Sequence, residues 1–383
     1  MRAVEIPAGA GSQHPPLPLR SRAGSFAALF LLLSCLHPLP GTAQATGGWS
    51  FQDDAFTDLW FHGLAMVGLH GQGAAPLYDP AYAAAVRSER ARAGLPPTRL
   101  EGDRGTLLRS FQGDEAFDVL HFVPLYVAGA GREEALRALR AVAAAPAGEP
   151  GVTGPARLGA QVVARLLPDA PRRRALGAFL DALDEEWREV VAPRRAKEPR
   201  TSVQLLADAW TDGWAAPLAG FLEAEGLREG TVFAVPALGS EGRFLARSPV
   251  GDRPLVVVGA PAGASEDAVL GALLRELCYP AVRRAMAPFE DRFDDRRSAS
   301  RASDLAATRC GELLLERNAP ERLAAYRTRF GLPVGGMGPG FLSSSGTVPG
   351  AAAWEGRLES ALRRELKLDN DGAWPEARPV WRR

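Results

Sequence analysis

The sequence predicts an α+β protein that is predominantly helical and contains a small antiparallel sheet packed on a helix. From Asp54 to Gly226, apolar residues recur mostly every three to four positions, which is the spacing of amphipathic helices. From Gly230 to Ala260, β-branched runs broken by Gly and Pro replace that spacing, as is typical of strands. Helical spacing returns after Ala260, so the predicted strands lie between two helical parts of the chain.

The composition is that of an ordinary globular protein. Of the 383 residues, 46% are hydrophobic and 23% are charged, enough for one large domain or two medium ones. The formal net charge is zero, so no basic surface for nucleic acid or an anionic membrane is indicated. The expected partner is an unknown protein or ligand of the cell envelope, and not nucleic acid.

The first 45 residues are predicted to be a signal peptide. Two arginines precede an apolar run from Phe26 to Ser34, and Ala43-Gln44-Ala45 supplies small residues at the −3 and −1 positions of a cleavage site. The mature chain would then start at Thr46 and be periplasmic or extracellular. The apolar run is shorter than the roughly 20 residues that cross a bilayer, so no transmembrane span is expected after cleavage.

The three cysteines each have two interpretations. Leu32-Leu33-Ser34-Cys35 could be a lipobox, in which case Cys35 would be lipidated and the protein would be a membrane-anchored envelope lipoprotein. Cys278 and Cys310 remain in the mature chain. In an oxidising compartment they could form a disulfide, or they could be two buried thiols.

The N-terminal region, residues 46–228, is predicted to be helical. Its first helix begins near Asp54, and Asp53 or Asp54 could cap it. Pro124 is expected to break one later helix and Pro217 to bend another. The helices after the first are predicted over residues 81–93, 102–111, 116–127, 132–145, 157–167, 171–191 and 203–226.

Three histidines of this region invite a metal interpretation, namely His62, His70 and His121. Histidine pairs that bind zinc from one helix usually lie at i and i+4. His62 and His70 lie further apart, with no carboxylate at ligand spacing. All three are therefore expected to be core or surface residues.

The next region, residues 229–330, is predicted to contain strands over 231–238, 243–247 and 253–260, with a hairpin turn at 239–242. Ser265 is a good N-cap for the helix 266–286, and further helices are predicted over 302–318 and 320–330. Residues 331–383 form a Gly-, Ser- and Pro-rich loop, a last helix and a tail. Residues 46–383 are also compatible with a single domain.

The helix 266–286 contains Arg275-Glu276-Leu277-Cys278-Tyr279, which has the frame of the zinc-peptidase motif H-E-x-x-H. In that motif the two histidines are one helical turn apart and bind one metal ion, and the Glu is the general base. From Gly230 to Phe330 the chain resembles a degenerate gluzincin, a zincin-like metallopeptidase relative of the kind found among exported bacterial proteins. The resemblance implies that Glu276 stands at the general-base position, Arg275 and Tyr279 at the ancestral ligand positions, and Glu312 at the third-ligand position.

The departures from the motif argue against catalysis. Arg has no acceptor and cannot bind zinc, and Tyr is a rare ligand, so no metal or cofactor is expected. The guanidinium of Arg275 could instead neutralise Glu276 or Glu312. The function expected is that of a non-catalytic pseudo-peptidase with a binding or structural role in the cell envelope.

Three alternatives stay open. Glu276 could still serve an active hydrolase, metal-dependent or unconventional, and Cys35 could anchor a structural lipoprotein. The helix could also belong to an α+β domain with no peptidase ancestor.

A geometric conflict is expected as well, because Cys310 and Glu312 are about 200° apart on a helix. A Cys278–Cys310 disulfide and a contact of Glu312 with Arg275 should therefore exclude each other.

Overall fold

The computed structural model of the chain describes residues 42–44, 48–69, 77–112, 115–145, 150–197, 202–249, 251–338, 340–346, 348 and 350–368. The apolar core of the expected signal peptide, Cys35 and His70 lie outside these residues. Ala43 and Gln44 of the expected cleavage site lie in a short strand. The described residues belong to one compact unit.

The sheet is mixed and has five strands in the order β1-β2-β3-β5-β4. β2, β3 and β5 are parallel neighbours, whereas β1 and β4 pair antiparallel at the two edges. The strands are β1 Thr42–Gln44, β2 Trp49–Gln52, β3 Gly230–Val235, β4 Arg243–Leu245 and β5 Leu255–Gly259.

The predominantly helical α+β class is confirmed, but the expectation of an antiparallel sheet is wrong. The predicted hairpin between residues 231 and 247 does not form, because β5 lies between β3 and β4. The physical reason lies in β5 itself. All five of its residues are buried, as expected of a central strand with both faces covered, and β3 pairs with one of its edges and β4 with the other.

Each face of the sheet supports its own hydrophobic core. Successive side chains of a strand point to opposite faces. Val256 and Val258 accordingly join one core, and Leu255 and Val257 join the other. The result is a three-layer arrangement in which helices cover both faces of a small sheet.

The helices between Ala55 and Lys197 cover the face of the sheet that carries Leu255 and Val257. The first helix is capped by Asp54, whose side chain accepts a hydrogen bond from the backbone N–H of Thr57. These helices are α1 Ala55–Val67, α2 Pro80–Arg92, α3 Arg99–Gly102, α4 Arg104–Gln112, α5 Val123–Tyr126, α6 Arg132–Ala144, α7 Arg157–Leu166, α8 Ala170–Glu186 and α9 Ala192–Lys197.

The remaining helices cover the opposite face. None of the helices in the described part of the chain combines the length and the hydropathy needed to cross a bilayer. They are α10 Val203–Ala209, α11 Ala215–Ala224, α12 Glu266–Leu277, α13 Tyr279–Met286, α14 Arg296–Asn318, α15 Leu323–Arg329, α16 Phe341–Ser344 and α17 Glu355–Glu365.

The single helix predicted over 266–286 is two helices that meet at Cys278. Ser265 caps α12, accepting a hydrogen bond from the backbone N–H of Ala268, as expected. Pro280 stands in the first turn of α13, where its missing N–H leaves no helical bond unmade. Arg275 and Glu276 therefore lie in the last turn of α12, and Tyr279 begins α13.

Candidate functional site

The last turn of α12 lies beside a cleft of about 800 Å³. The turn before β4, the strand β4 itself, α13 and the first half of α14 form much of the rest of its lining. Glu276 and Tyr279 of the motif both line this cleft, and they are joined there by Glu241, Arg243 and Asp304. The structure thus brings the motif residues to the largest of the described cavities.

Arg275 is the centre of a buried charge cluster, which we define as Arg275, Glu276, Asp304, Glu241 and Arg243. Its side chain is only 1% exposed. Its Nη1 lies 2.6 Å from Oε1 of Glu276, and its Nη2 lies 3.1 Å from Oδ1 of Asp304. Its Nε donates to Oγ1 of Thr308 at 3.2 Å. One guanidinium therefore contacts the motif carboxylate and the helix that faces it.

Tyr279, the last residue of the motif frame, also contacts Asp304. Its hydroxyl donates a hydrogen bond to Oδ1 of Asp304. The guanidinium carbon of Arg275 lies 5.6 Å from the centre of the Tyr279 ring, a distance compatible with a cation–π contact. Asp304 consequently contacts both Arg275 and Tyr279, the two residues at the histidine positions of the motif frame.

The turn before β4 closes the other side of the cluster. The backbone N–H of Gly242 donates to Oε1 of Glu276 at 3.0 Å. Arg243 Nη1 lies 3.2 Å from Oε2 of Glu241. A Cβ at position 242 would lie 2.4 Å from the carbonyl oxygen of Val257 and 2.8 Å from Cγ of Glu276, so only glycine permits this approach.

The cluster contains three carboxyl groups and two guanidinium groups, and one carboxyl holds a proton. Burial raises the pKa of Glu241 to about 8, although Arg243 acts in the opposite direction. At neutral pH Glu241 is thus protonated and donates to Asp304. Two cations then balance two anions.

The other two carboxyl groups respond differently to the same surroundings. Burial alone would raise the pKa of Asp304, but Arg275 and the hydrogen bonds from Glu241 and Tyr279 bring it below its usual range. Burial raises the pKa of Glu276 despite the neighbouring guanidinium groups and the N–H of Gly242. Asp304 is therefore the most strongly stabilised anion of the cluster.

Glu312, expected at the third-ligand position, does not contact Arg275. Its carboxylate binds Nη1 of Arg309 and Nε of Arg327, each at 2.7 Å, and accepts from the backbone N–H of Met337. Asp304 takes the place opposite Arg275 instead. On α14 Glu312 lies eight residues beyond Asp304, about 12 Å further along the helix axis.

Cys278 and Cys310 are neighbours across α12 and α14. Both are buried and carry free thiols, 2.6 Å apart. Burial and the hydrogen bond with Cys310 raise the pKa of the Cys278 thiol, which disfavours a nucleophilic role. The disulfide stays a prediction, which non-reducing peptide mapping tests. The expected conflict is resolved, because Glu312 points away from Arg275 and leaves the cysteines face to face.

The zinc ion that the resemblance implies does not fit these residues. The guanidinium of Arg275, which has no acceptor, lies between the carboxylates of Glu276 and Asp304. No group of three or more His, Cys, Asp or Glu within the described ranges is arranged to hold a metal ion. His62 bonds to Tyr82 and Glu186, and His121, which does line the cleft, bonds to Tyr78.

Outside the charge cluster the cleft is lined by apolar and aromatic side chains, with charged groups among them. Its apolar wall consists of Phe122, Phe244, Leu245, Pro280, Val282, Met286 and Phe293. The guanidinium groups of Arg247, Arg283 and Arg296 and the carboxylates of Asp118 and Glu290 also line it. Such a mixture of apolar surface and few polar groups is typical of a ligand-binding cleft.

Sequence reasoning did not identify Glu241, Gly242, Arg243, Asp304 or Thr308 as site residues. The turn at 239–242 gave no signal, because its role depends on the pairing of β4 with β5. A weak signal existed on α14, where Asp304 and Thr308 are one helical turn apart on the same face. No protein-family model, curated protein or solved structure matches this chain, so residues and geometry alone support the assignment of the site.

Proposed function

We propose that this chain is an exported, non-catalytic zincin-like protein that binds a ligand in the cleft beside α12. The observation that carries the proposal is the position of Arg275, whose guanidinium is buried between Glu276 and Asp304. A general base must have a free lone pair directed at its substrate. The side chain of Glu276 is instead only 1% exposed, and its Oε1 is bonded to Arg275 and to the N–H of Gly242.

The ligand class that suits the cleft best is an extended peptide segment. β4 pairs with β5 along one edge, and no described strand pairs with its other edge. All three residues of β4 line the cleft. A peptide can add to such an edge through backbone hydrogen bonds, while apolar side chains enter neighbouring pockets. Phe244, Met286 and Phe293 offer that apolar surface.

A pool of synthetic unstructured octapeptides tests this function. The purified chain is expected to retain a subset enriched in apolar residues and to leave every peptide uncut, as checked by mass spectrometry. Phe293→Ala should weaken retention, whereas Leu95→Ala, at a position 50% exposed on another part of the chain, should not. Cleavage that disappears in Glu276→Gln would contradict the proposal and establish a hydrolase.

A hydrolase is the second candidate, and one observation favours it. Glu241, a protonated acid at neutral pH, lies beside the ionised Asp304, and such pairs can supply an acid and a base. Activity of this kind would be lost in Glu241→Gln. Its main difficulty is access, because the side chains of Glu241 and Glu276 are each 1% exposed or less.

Export is the remaining part of the proposal. If residues 1–45 are a signal peptide, N-terminal sequencing of the exported protein should begin at Thr46. If Cys35 is the anchor of a structural lipoprotein, radiolabelled palmitate should be incorporated and lost in Cys35→Ser. Palmitate incorporation into the wild type would favour the lipoprotein anchored at Cys35 over the form cleaved before Thr46.

A further inference from the structure

A second candidate site lies apart from the cleft, at the carboxyl ends of the parallel strands. Asp53 follows β2, Pro236 follows β3, and Ala260 follows β5, and all three line one cavity of about 70 Å³. In sheets with parallel strands, ligands bind preferentially outside the carboxyl ends of the strands. The position of this cavity therefore suits a small ligand.

Tyr82 of α2 lines the cavity and is the end of a hydrogen-bonded chain of side chains. Its hydroxyl lies 2.8 Å from Nδ1 of His62 on α1. Nε2 of His62 lies 2.8 Å from Oε1 of Glu186, the last residue of α8. Three helices thus position a phenol, an imidazole and a carboxylate in series.

The order of the groups fixes the direction of proton transfer. A carboxylate has only acceptors, so Glu186 accepts a hydrogen bond from the N–H at Nε2. In the neutral imidazole, Nδ1 then carries no hydrogen and accepts a hydrogen bond from the hydroxyl of Tyr82. His62 and Glu186 are each 1% exposed or less, whereas Tyr82 is half-buried and reaches the cavity. This is the arrangement of nucleophile, base and orienting group that activates a hydroxyl.

The surroundings favour a small uncharged electrophile. Val191, Val203, Ala234 and other small apolar residues form much of the lining. Arg194 and Arg195 also line the cavity, but they are already paired with Glu89 and with Asp53 and Asp58 respectively. An acyl group fits this setting better than a phosphoryl group, which would require unneutralised cations.

We propose that Tyr82, with His62 as general base and Glu186 as its positioning residue, is the nucleophile of an acyl-transfer site for small carboxylic esters. Oη of Tyr82 attacks the ester carbonyl carbon while its proton passes to Nδ1 of His62. The bond from that carbon to the alcohol oxygen breaks, and the leaving alkoxide takes the proton from His62. Water, deprotonated by His62, then hydrolyses the Tyr82 ester and restores the phenol.

The guanidinium group of Arg194, although paired with Glu89, also lies near the ring of Tyr82. Its carbon lies 5.6 Å from the centre of the Tyr82 ring. A cation at this distance interacts favourably with the ring and more so with a phenolate. The site shares no lining residue with the cleft, so it is independent of the function proposed above.

The probe for the test is 4-nitrophenyl acetate. Peptide mass mapping measures the rate of acetylation at Tyr82, and the release of 4-nitrophenolate is followed in the same reaction. The wild type is expected to acetylate Tyr82 faster than Tyr126, a half-buried tyrosine whose pKa is raised by burial. Removing the general base in His62→Gln should slow acetylation of Tyr82 roughly a hundredfold. Glu186→Gln should shift the pH profile of the same rate, which a purely structural role would not do.

Matched controls separate catalysis from folding. Tyr78 also pairs with a histidine, His121, at 2.9 Å, and Tyr78→Phe should leave acetylation of Tyr82 unchanged. Melting temperatures identify variants that are folded at the assay temperature. Equal rates at Tyr82 in wild type and folded His62→Gln, or no preference for Tyr82 over Tyr126 in the wild type, would overturn the proposal.

Discussion

At the residue scale, Arg275 is the cation that directly contacts both Glu276 and Asp304. Without its guanidinium these two carboxylates would be buried with only the more distant charge of Arg243 to balance them. This arrangement puts a permanent positive charge between the two carboxylates. Arg suits this role better than Lys because its planar group donates in several directions at once.

Removal of that charge should be costly. Arg275→Met leaves the carboxylates of Glu276 and Asp304 buried beside an apolar side chain, and we expect a loss of roughly 3–5 kcal/mol in the free energy of unfolding. Urea denaturation measures it. The matched control is Arg253→Met, which breaks an ion pair with Glu229 whose partners are 59% and 50% exposed and should cost less than about 1 kcal/mol. Equal costs for the two variants would contradict the role of Arg275.

The proton on Glu241 gives a second prediction at this scale. The pKa of Glu241 is about 8 in the folded chain, whereas the ordinary value, which applies to the unfolded chain, is 4.5. Between these two pH values the folded state holds a proton that the unfolded state has lost. Stability should therefore fall as pH rises from about 4.5 to about 8, by an amount on the order of a few kcal/mol. The raised pKa of Glu276 acts in the same direction, and the lowered pKa of Asp304 acts only below its usual value of 3.8.

Unfolding free energies measured from pH 5 to pH 9 check this slope. Glu241→Gln carries no titrating proton at this position and should flatten the curve. A wild-type curve that rises over the same interval, or an equally steep curve in Glu241→Gln, would show that Glu241 is ionised in the folded chain.

At the element scale, the turn that joins β3 to β4 positions the cluster through a single glycine. Gly242→Ala would place a Cβ 2.4 Å from the carbonyl oxygen of Val257. We expect a loss of about 1–3 kcal/mol in the free energy of unfolding, because backbone or neighbouring side chains must shift. Gly251→Ala is the control, since a Cβ there meets nothing within 4 Å. An unchanged free energy of unfolding in Gly242→Ala would mean that the turn can shift without cost and would contradict this role of Gly242.

Helices were predictable from sequence, and strand partners were not. The apolar spacing of α1, α6 and α8 locates them within a few residues, because each buries one stripe against the core. β2 was missed, since four residues with alternating burial at the start of a helical pattern are a weak signal. The partner of β4 was predicted wrongly, because pairing depends on which strand can cover β5 and not on local sequence.

Pro217 shows how tertiary contacts modify a local prediction. The sequence indicated a bend or a split there, and a π-helical turn, Trp210–Trp214, does separate α10 from α11. Pro217 cannot donate a hydrogen bond to the carbonyl of Gly213, its helical partner. Nε of Arg322 donates to that carbonyl at 3.1 Å instead. The compensation comes from a residue far away in sequence, which no local pattern indicates.

At the scale of the whole molecule, the sheet borders two candidate sites that share no lining residue. The cleft beside β4 contains the buried charge cluster, and the cavity at the carboxyl ends of β2, β3 and β5 contains Tyr82. The sequence indicated Arg275, Glu276 and Tyr279 because they form one short motif. It could not indicate Asp304 in place of Glu312, because that choice depends on which part of α14 packs beside the last turn of α12.

The most direct test of the zincin-like frame is to restore its ligands and measure zinc. The wild type is expected to bind no stoichiometric zinc, whereas Arg275→His with Tyr279→His should bind about one equivalent, because both imidazoles would then lie beside Asp304. Adding Asp304→Asn should abolish that binding, and adding Glu312→Gln should not. Stoichiometric zinc in the wild type, or a folded double variant that binds none, would contradict the account.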